Sequence, residues 1–499
     1  MTTPSHPSHA RPVISAIDPM PAEPAAYALG MFSRSAGSLE DNLRYVHQKN
    51  TAQFYEQFYW SYGHASLGDL TATTSSTRGV SSLAAIELED DQLWGGQEQS
   101  SRYQDMTTPR YVLPTPLAGS SAEDTFHTAI HRLYHAYQTF LPRIIRQLQT
   151  ENPRPDTLSI DAYDRAIKAR AFDVVRYFLP LAQRTNVGQV LTLRVLERQI
   201  RRMLASPFEE LRWIGGELRA MCGREPDHTW NDLNQRASDP GPLAPTLVKH
   251  CDPTPYQLHS VSAVKQAVSG IMSRFQLDNP QTWGPARRVD LIRSHTLEDE
   301  LITTLLYRVT HAPYSHLLDH VTPFLPVEEK RALLQAAHTL RGPHDEFSRE
   351  FNVGYALIFD LLMDIGAWRD IHRHRRCQQI RQDFTPLHGF ETPPMLDRLQ
   401  LTGDYTRVMD HTLSDTTALL SQGYSDAVYL LPFGAKVRCL IKCDLGEALY
   451  LTELRSKPHG HWSYREVAWD MKELITERYP ECAPLFRVTA PTIEAPLKR

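Results

Sequence analysis

Apolar residues recur at helical spacing over residues 122–148, 191–222, 346–368 and 464–478. A 3.6-residue stripe of this kind predicts amphipathic helices. Residues 427–431 and 436–442 are short β-branched and apolar runs on either side of Pro432-Phe433-Gly434, and predict two short strands. Further helical sequence is expected near residues 327–337. The pattern is mixed, with more helix than strand.

The same pattern is told twice. Ser38-Leu39-Glu40-Asp41 reappears as Thr296-Leu297-Glu298-Asp299, Gln104-Asp105-Met106-Thr107 as Gln382-Asp383-Phe384-Thr385, and Phe178-Leu179-Pro180-Leu181 as Leu430-Leu431-Pro432-Phe433. The three pairs keep their order, at offsets of 258, 278 and 252. Matches in order predict two tandem copies of one α/β (α+β) fold, each helix-rich with a central antiparallel or mixed sheet. The expected division is a disordered tail over 1–30, a first domain over 31–225, a connector over 226–290 and a second domain over 291–499. Six prolines between 226 and 255 suggest that most of the connector forms neither long helices nor central strands.

Composition narrows the function classes. The chain has 499 residues, 53 Lys and Arg against 58 Asp and Glu, and a formal charge of −5. That balance argues against a protein that coats nucleic acid through net charge, so phosphate recognition should be local. The six cysteines are scattered, which reads as reduced thiols in a cytoplasmic protein. No signal-peptide pattern and no apolar run of transmembrane length is read, so neither membrane nor nucleic acid is an expected partner. His316 and His320 have metal-ligand spacing but lack a third ligand, and no metal is expected.

The chemistry concentrates in Arg369-Asp370-Ile371-His372-Arg373-His374-Arg375-Arg376. A cationic cluster directly after an apolar run is costly to desolvate unless an anion sits there, most simply a phosphate. A solvated helix end is the alternative reading. In the first copy, Gln97-Glu98-Gln99-Ser100-Ser101-Arg102-Tyr103 follows Gly95-Gly96, a loop able to seat a phosphate. Upstream lies His64-Ala65-Ser66-Leu67-Gly68-Asp69.

These motifs resemble those of the flavin-dependent thymidylate synthases, whose signature is Arg-His-Arg, seven residues, then Ser, within a pattern close to RHRxxxxNExSxRY. The family also carries HxSxxE upstream, an Arg four residues before the Pro of an LP pair, and a later arginine helix. Neither copy is complete. The first has His64 and Ser66 (with Asp69 for the family Glu), Glu98, Ser100, Arg102 and Arg176, but an acidic run at Glu89-Asp90-Asp91. The second has Arg373-His374-Arg375 and Arg455, but Asp383 at the serine position and Val428 at the LP arginine. Asp383 thus pairs with Ser100 in one alignment and with Asp105 in the other, and the register stays open.

The resemblance implies one composite site between the copies and an empty reciprocal one. It implies reductive methylation of dUMP to dTMP, with FAD as cofactor and NADPH and methylenetetrahydrofolate as co-substrates. Ser100 and Arg455 would be catalytic, and Glu98, Ser100, Arg102, Arg176, Arg373 and Arg455 would bind dUMP. His64, Ser66, Glu98, Arg194, Arg373, His374 and Arg375 would contact FAD, although Thr192 replaces an Asn usual near Arg194. The implied assembly is a homodimer of fused chains forming a pseudo-tetramer. The alternatives are methylation or hydroxymethylation of another uridine-containing substrate, or a non-catalytic nucleotide-binding homologue.

Overall fold

The structure is a computed structural model describing residues 13–17, 65–225, 245–283, 287–292, 295–340 and 348–480, residues 23, 53 and 56, and most of 483–497. Strands β1 (Val13–Ile17), β2 (Ala72–Ser81), β3 (Gly95–Glu98) and β4 (Arg184–Thr192) form an antiparallel sheet in the order β1-β2-β4-β3. Strands β5 (Val289–Leu291), β6 (Leu357–Asp364), β7 (Gln378–Arg381) and β8 (Lys436–Cys443) form a second sheet in the same order, β5-β6-β8-β7. The expected two-copy, helix-rich α+β architecture is therefore present.

In the first copy α1 (Ser82–Glu89) follows β2, the hairpin of α2 (Glu123–Glu151) and α3 (Ile160–Val175) precedes β4, and α4 (Leu193–Leu204) and α5 (Glu209–Cys222) follow it. Next come α6 (Pro255–Phe275), α7 (Leu297–Val309), α8 (Tyr314–His320) and α9 (Val327–His338). The second copy then supplies α10 (Ile365–Ile371), α11 (Thr402–Ser421), α12 (Leu445–Arg455) and α13 (Trp462–Arg478).

Several expectations are corrected here. The run over 346–368 is not one helix: among its described residues β6 spans Leu357–Asp364, buried at all eight positions, and α-helix begins only at Ile365. A strand covered on both faces needs apolar residues without alternation, so its pattern imitates a buried helix segment. Residues 427–431 are not a strand but lie largely in a 3₁₀ turn, Ser425–Leu430. Within the supposed connector α6 runs for 21 residues, because Pro255 falls at the first helical turn, where no N–H is required, and Thr254 with Gln257 forms a capping box. Within the supposedly disordered tail, Val13–Ile17 pairs with β2, Val13 opposite Arg78.

The copies meet across a local two-fold axis. Pro180 and Pro432 bridge antiparallel, Leu181 N donates to Leu431 O (2.9 Å), and Phe433 N donates to Leu179 O (2.8 Å). The two repeated LP motifs are therefore each other's contact. One hydrophobic core runs through this seam, holding Tyr177, Phe178 and Leu179 with Tyr429, Leu430 and Phe433.

The outer faces of the two sheets differ. In β2 and β4, exposed and buried positions alternate, and Thr74, Asn186 and Val190 face solvent. The matching face of the second sheet is covered by α6 to α9, with Ile358, Ile380 and Leu440 packed among Ile302, Leu305 and Leu306. One buried ion pair, Lys442 Nζ to Glu300 Oε1 at 2.7 Å, joins this cover to the sheet. Asp360, paired within the sheet to Arg438 Nη1 at 2.8 Å, accepts from the Tyr307 hydroxyl (3.0 Å) and Tyr314 N (2.9 Å) of the cover.

Candidate functional site

Strand register settles which residues are counterparts. Glu98 lies opposite Val187 and Arg381 opposite Cys439. Val187 and Cys439 each stand seven positions beyond the bridged prolines, so Arg381 is the counterpart of Glu98 and Asp383 that of Ser100. The Gln-Asp-x-Thr repeat that aligned Asp383 with Asp105 is a coincidence of composition.

The short helix α10 carries the arginine cluster to the seam. Asp364 caps it, accepting from Ala367 N at 2.7 Å and from the Ser463 hydroxyl, and burial pushes this carboxyl up to about 6. The matching cap in the first copy reverses the chemistry: Ser81 caps α1 and donates from its hydroxyl to Glu210 Oε2 at 2.6 Å.

At the end of α10 the two copies interdigitate. Arg369 pairs with Glu98 and lies over the Phe433 ring, 4.6 Å from its centre. Arg373 donates to Gln97 Oε1 at 3.3 Å, and Arg375 stacks over Trp94 at 4.6 Å, its Nε buried without a partner. Arg102 forks Asp173 at 2.7 and 3.2 Å and donates to the Tyr464 hydroxyl at 3.1 Å. The guanidinium carbons of Arg102 and Arg455 lie 5.6 and 5.5 Å from the Tyr464 ring centre. An arginine of the first copy and one of the second thus share one aromatic ring.

Arg176, from the turn after α3, is 2% exposed, and its Nε and Nη2 have no hydrogen-bond partner. Its Nη1 is 3.6 Å from Asp370 Oδ2, whose other oxygen is 3.9 Å from Arg455 Nη1. Buried guanidinium N–H groups are almost always satisfied, so Arg176 keeps donor capacity for an acceptor that the side chains around it do not supply. His374 turns inward. Its Nε2 accepts from Arg455 Nε at 2.9 Å and its Nδ1 faces Glu447 Oε1 at 3.0 Å. Burial holds this imidazole below its usual pKa, which suits the neutral form that accepts from Arg455 and donates to Glu447.

Of the residues picked out in the sequence, Glu98, Arg102, Arg176, Arg373, His374, Arg375 and Arg455 are gathered along this seam. Ser100 Oγ accepts from Arg102 N at 3.2 Å, shaping the loop. Arg194 instead pairs with Asp69 at 3.1 Å, with Thr192 donating to the same Asp69 at 3.3 Å. His64 and the Ser66 side chain fall outside the described residues. Asp370 and Tyr464 were not singled out. Both lie in or beside the arginine stretches, but only the fold sets them among arginines.

The reciprocal seam has the opposite character. Val428 stands for Arg176, Thr385 for Arg102 and Asp90 for Arg373. Arg381 pairs with Glu87 at 2.7 Å, Asp90 is held by Arg349 at 2.5 Å, and Asp383 is held by Arg308 of α7 (2.9 Å) and Lys265 of α6 (3.1 Å). The chain's own side chains already neutralise the charges there.

Arg373 and Arg375 fit the phosphates of a dinucleotide, since both are cationic and Arg375 has an unmatched buried donor. Among the described residues no group of three or more His, Cys, Asp or Glu is placed to hold a metal ion, and no helix is long and apolar enough to cross a membrane.

A family model described as thymidylate synthase complementing protein matches residues 15–224 and 355–481. A UPF0159 protein of Chlamydia muridarum is 25% identical over 446 residues, covering 87% of this chain and 80% of its own. A UPF0159 protein of Thermoplasma acidophilum is 23% identical over 501 residues, covering 92% and 94%. Among solved structures, a UMP/dUMP methylase from Streptomyces cacaoi bound with 5-Br dUMP aligns at 13% identity and TM-score 0.31, over 48% of this chain and 94% of that one. A flavin-dependent thymidylate synthase from Helicobacter pylori, complexed with FAD and dUMP, aligns at 13% identity and TM-score 0.27, over 42% and 92%.

Proposed function

Because this chain belongs to the thymidylate synthase complementing protein family, whose model matches well over half of it, we propose that the seam binds a uridine nucleotide and methylates it at C5. The specific reaction is reductive methylation of dUMP to dTMP, with methylenetetrahydrofolate as carbon donor and NADPH as reductant through FAD. The observation that carries this reading is Arg176, a buried guanidinium with two unmatched nitrogens, set beside Arg455 of the other copy through Asp370.

In this reading Arg102, Arg176 and Arg373 hold phosphate and base through charge-assisted hydrogen bonds, each worth about 1.5–3 kcal/mol net. Arg455, fixed by His374 and by the Tyr464 ring, stabilises negative charge as it develops on uracil and makes C5 the nucleophile. Arg373 and Arg375 would hold FAD, which supplies the redox equivalents when bound. The internally neutralised reciprocal seam supports one nucleotide per chain. Two chains would associate through the outer face of the first sheet, where Thr74, Asn186 and Val190 are exposed.

Titration calorimetry of the full-length protein with dUMP should give one site per chain. Arg176→Ala should weaken binding at least tenfold, and turnover should require FAD. Binding without turnover under saturating FAD, NADPH and methylenetetrahydrofolate would leave a nucleotide-binding homologue. Two sites per chain would refute the composite seam, and a monomer in sedimentation equilibrium would remove the dimer.

A further inference from the structure

Three side chains stand in a row at the seam: Arg176, Asp370 and Arg455. Asp370 is the middle member, with Oδ2 3.6 Å from Arg176 Nη1 and Oδ1 3.9 Å from Arg455 Nη1. Both separations exceed hydrogen-bond length. Neither side is satisfied internally: Asp370 Oδ2 is buried without a partner, as are Arg176 Nε and Nη2. The row therefore offers donor, acceptor, donor in sequence, with capacity left over on Arg176 and Asp370.

The imide edge of a uracil-type base presents the complement, with a carbonyl oxygen, an N3–H donor and a second carbonyl oxygen. We propose that Asp370 is a specificity-determining residue that accepts the N3–H of an imide base while Arg176 and Arg455 donate to the flanking carbonyls. The inference rests on the nucleotide reading above and adds to it the edge of the base that is read and the residue that reads it. Cytosine is excluded by the same row. Its N3 is an acceptor facing the carboxylate and its amino group a donor facing a guanidinium, so two buried contacts become repulsive. A site built around a substrate N–H rejects the analogue lacking it more strongly than a merely shaped pocket does. Accepting from N3–H also raises electron density in the ring, which favours attack from C5.

The test uses the full-length protein and four ligands: dUMP, dCMP, N3-methyl-dUMP and deoxyribose 5-phosphate. Wild type should bind dUMP at least tenfold more tightly than dCMP or N3-methyl-dUMP, a comparison that needs no variant. In Asp370→Asn the dUMP-to-dCMP ratio should fall below threefold, because the amide can present either a donor or an acceptor. A general gain from removing a negative charge raises deoxyribose 5-phosphate by the same factor and cancels in the ratio. Equal binding of dUMP and dCMP by wild type, or an unchanged ratio in a folded Asp370→Asn variant, overturns the inference while leaving nucleotide binding intact. Failure of all three nucleotides to bind would instead remove the functional reading, and this inference with it.

Discussion

Glu89 shows how the seam sets the chemistry of single residues. It ends α1 beside Glu98 and the cluster Arg369, Arg373 and Arg375. Burial, reinforced by Glu98, raises its carboxyl from 4.5 to about 7 against the pull of the arginines. Below pH 4.5 the group is protonated whether the chain is folded or not, and contributes no pH dependence. As pH rises towards 7 the unfolded chain releases the proton while the fold retains it, so stability falls through that window and the loss is complete above it. Glu89→Gln should therefore gain stability relative to wild type by on the order of 3 kcal/mol between pH 4.5 and 8. Urea denaturation without nucleotide at the two pH values would show it, and an equal difference at both would refute it. At this scale the arginines were legible because their spacing is local: Arg102 sits two positions after Ser100, and Arg176 four before Pro180. Asp370 and Tyr464 were not, because a carboxylate between two guanidinium groups is made by chain crossings 194 and 85 residues long, not by neighbours in sequence.

Among the elements, amphipathic helices such as α2 and α13 could be read because one face meets water, leaving a visible period. Strand β6 could not, since both of its faces are covered and no polar alternation survives. Its covering layer shares a buried ion pair with the sheet. The Lys442 side chain is 0% and that of Glu300 2% exposed, and Lys442 Nζ also bonds Thr304 Oγ1 and Asn352 O at 3.2 Å. Removing one partner leaves an uncompensated buried charge, whereas removing both replaces an ion pair by apolar packing. Lys442→Met should cost about 3–5 kcal/mol. The double variant Lys442→Met with Glu300→Leu should recover most of that loss in chemical denaturation. Additive losses would show that the pair contributes more than mutual neutralisation. Asp383, with its side chain 49% exposed, is a different case. Its links to Arg308 and Lys265 are screened by water, so Asp383→Ser should change stability by less than about 1 kcal/mol.

For the whole molecule, the tandem duplication was visible in three short matches: the LP pair marks the axis itself, the Gln-Asp pair is out of register, and residues 38–41 lie outside the described residues. The seam it makes is continuous core, so the copies are not beads on a string. Residues 1–225 expressed alone would expose Tyr177, Phe178 and Leu181, all fully or almost fully buried in the intact chain. That fragment should lack a cooperative thermal transition and regain one on co-expression with residues 226–499. A fragment that melts cooperatively by itself would show that the halves fold independently. The unequal outer faces have a consequence of their own. A duplicate with both sheets open would carry two equivalent sticky faces, and growth by successive addition would have no natural stop. With α6 to α9 laid over one of them, each chain would keep a valence of one, and the association proposed above, through the remaining face, would terminate at a pair.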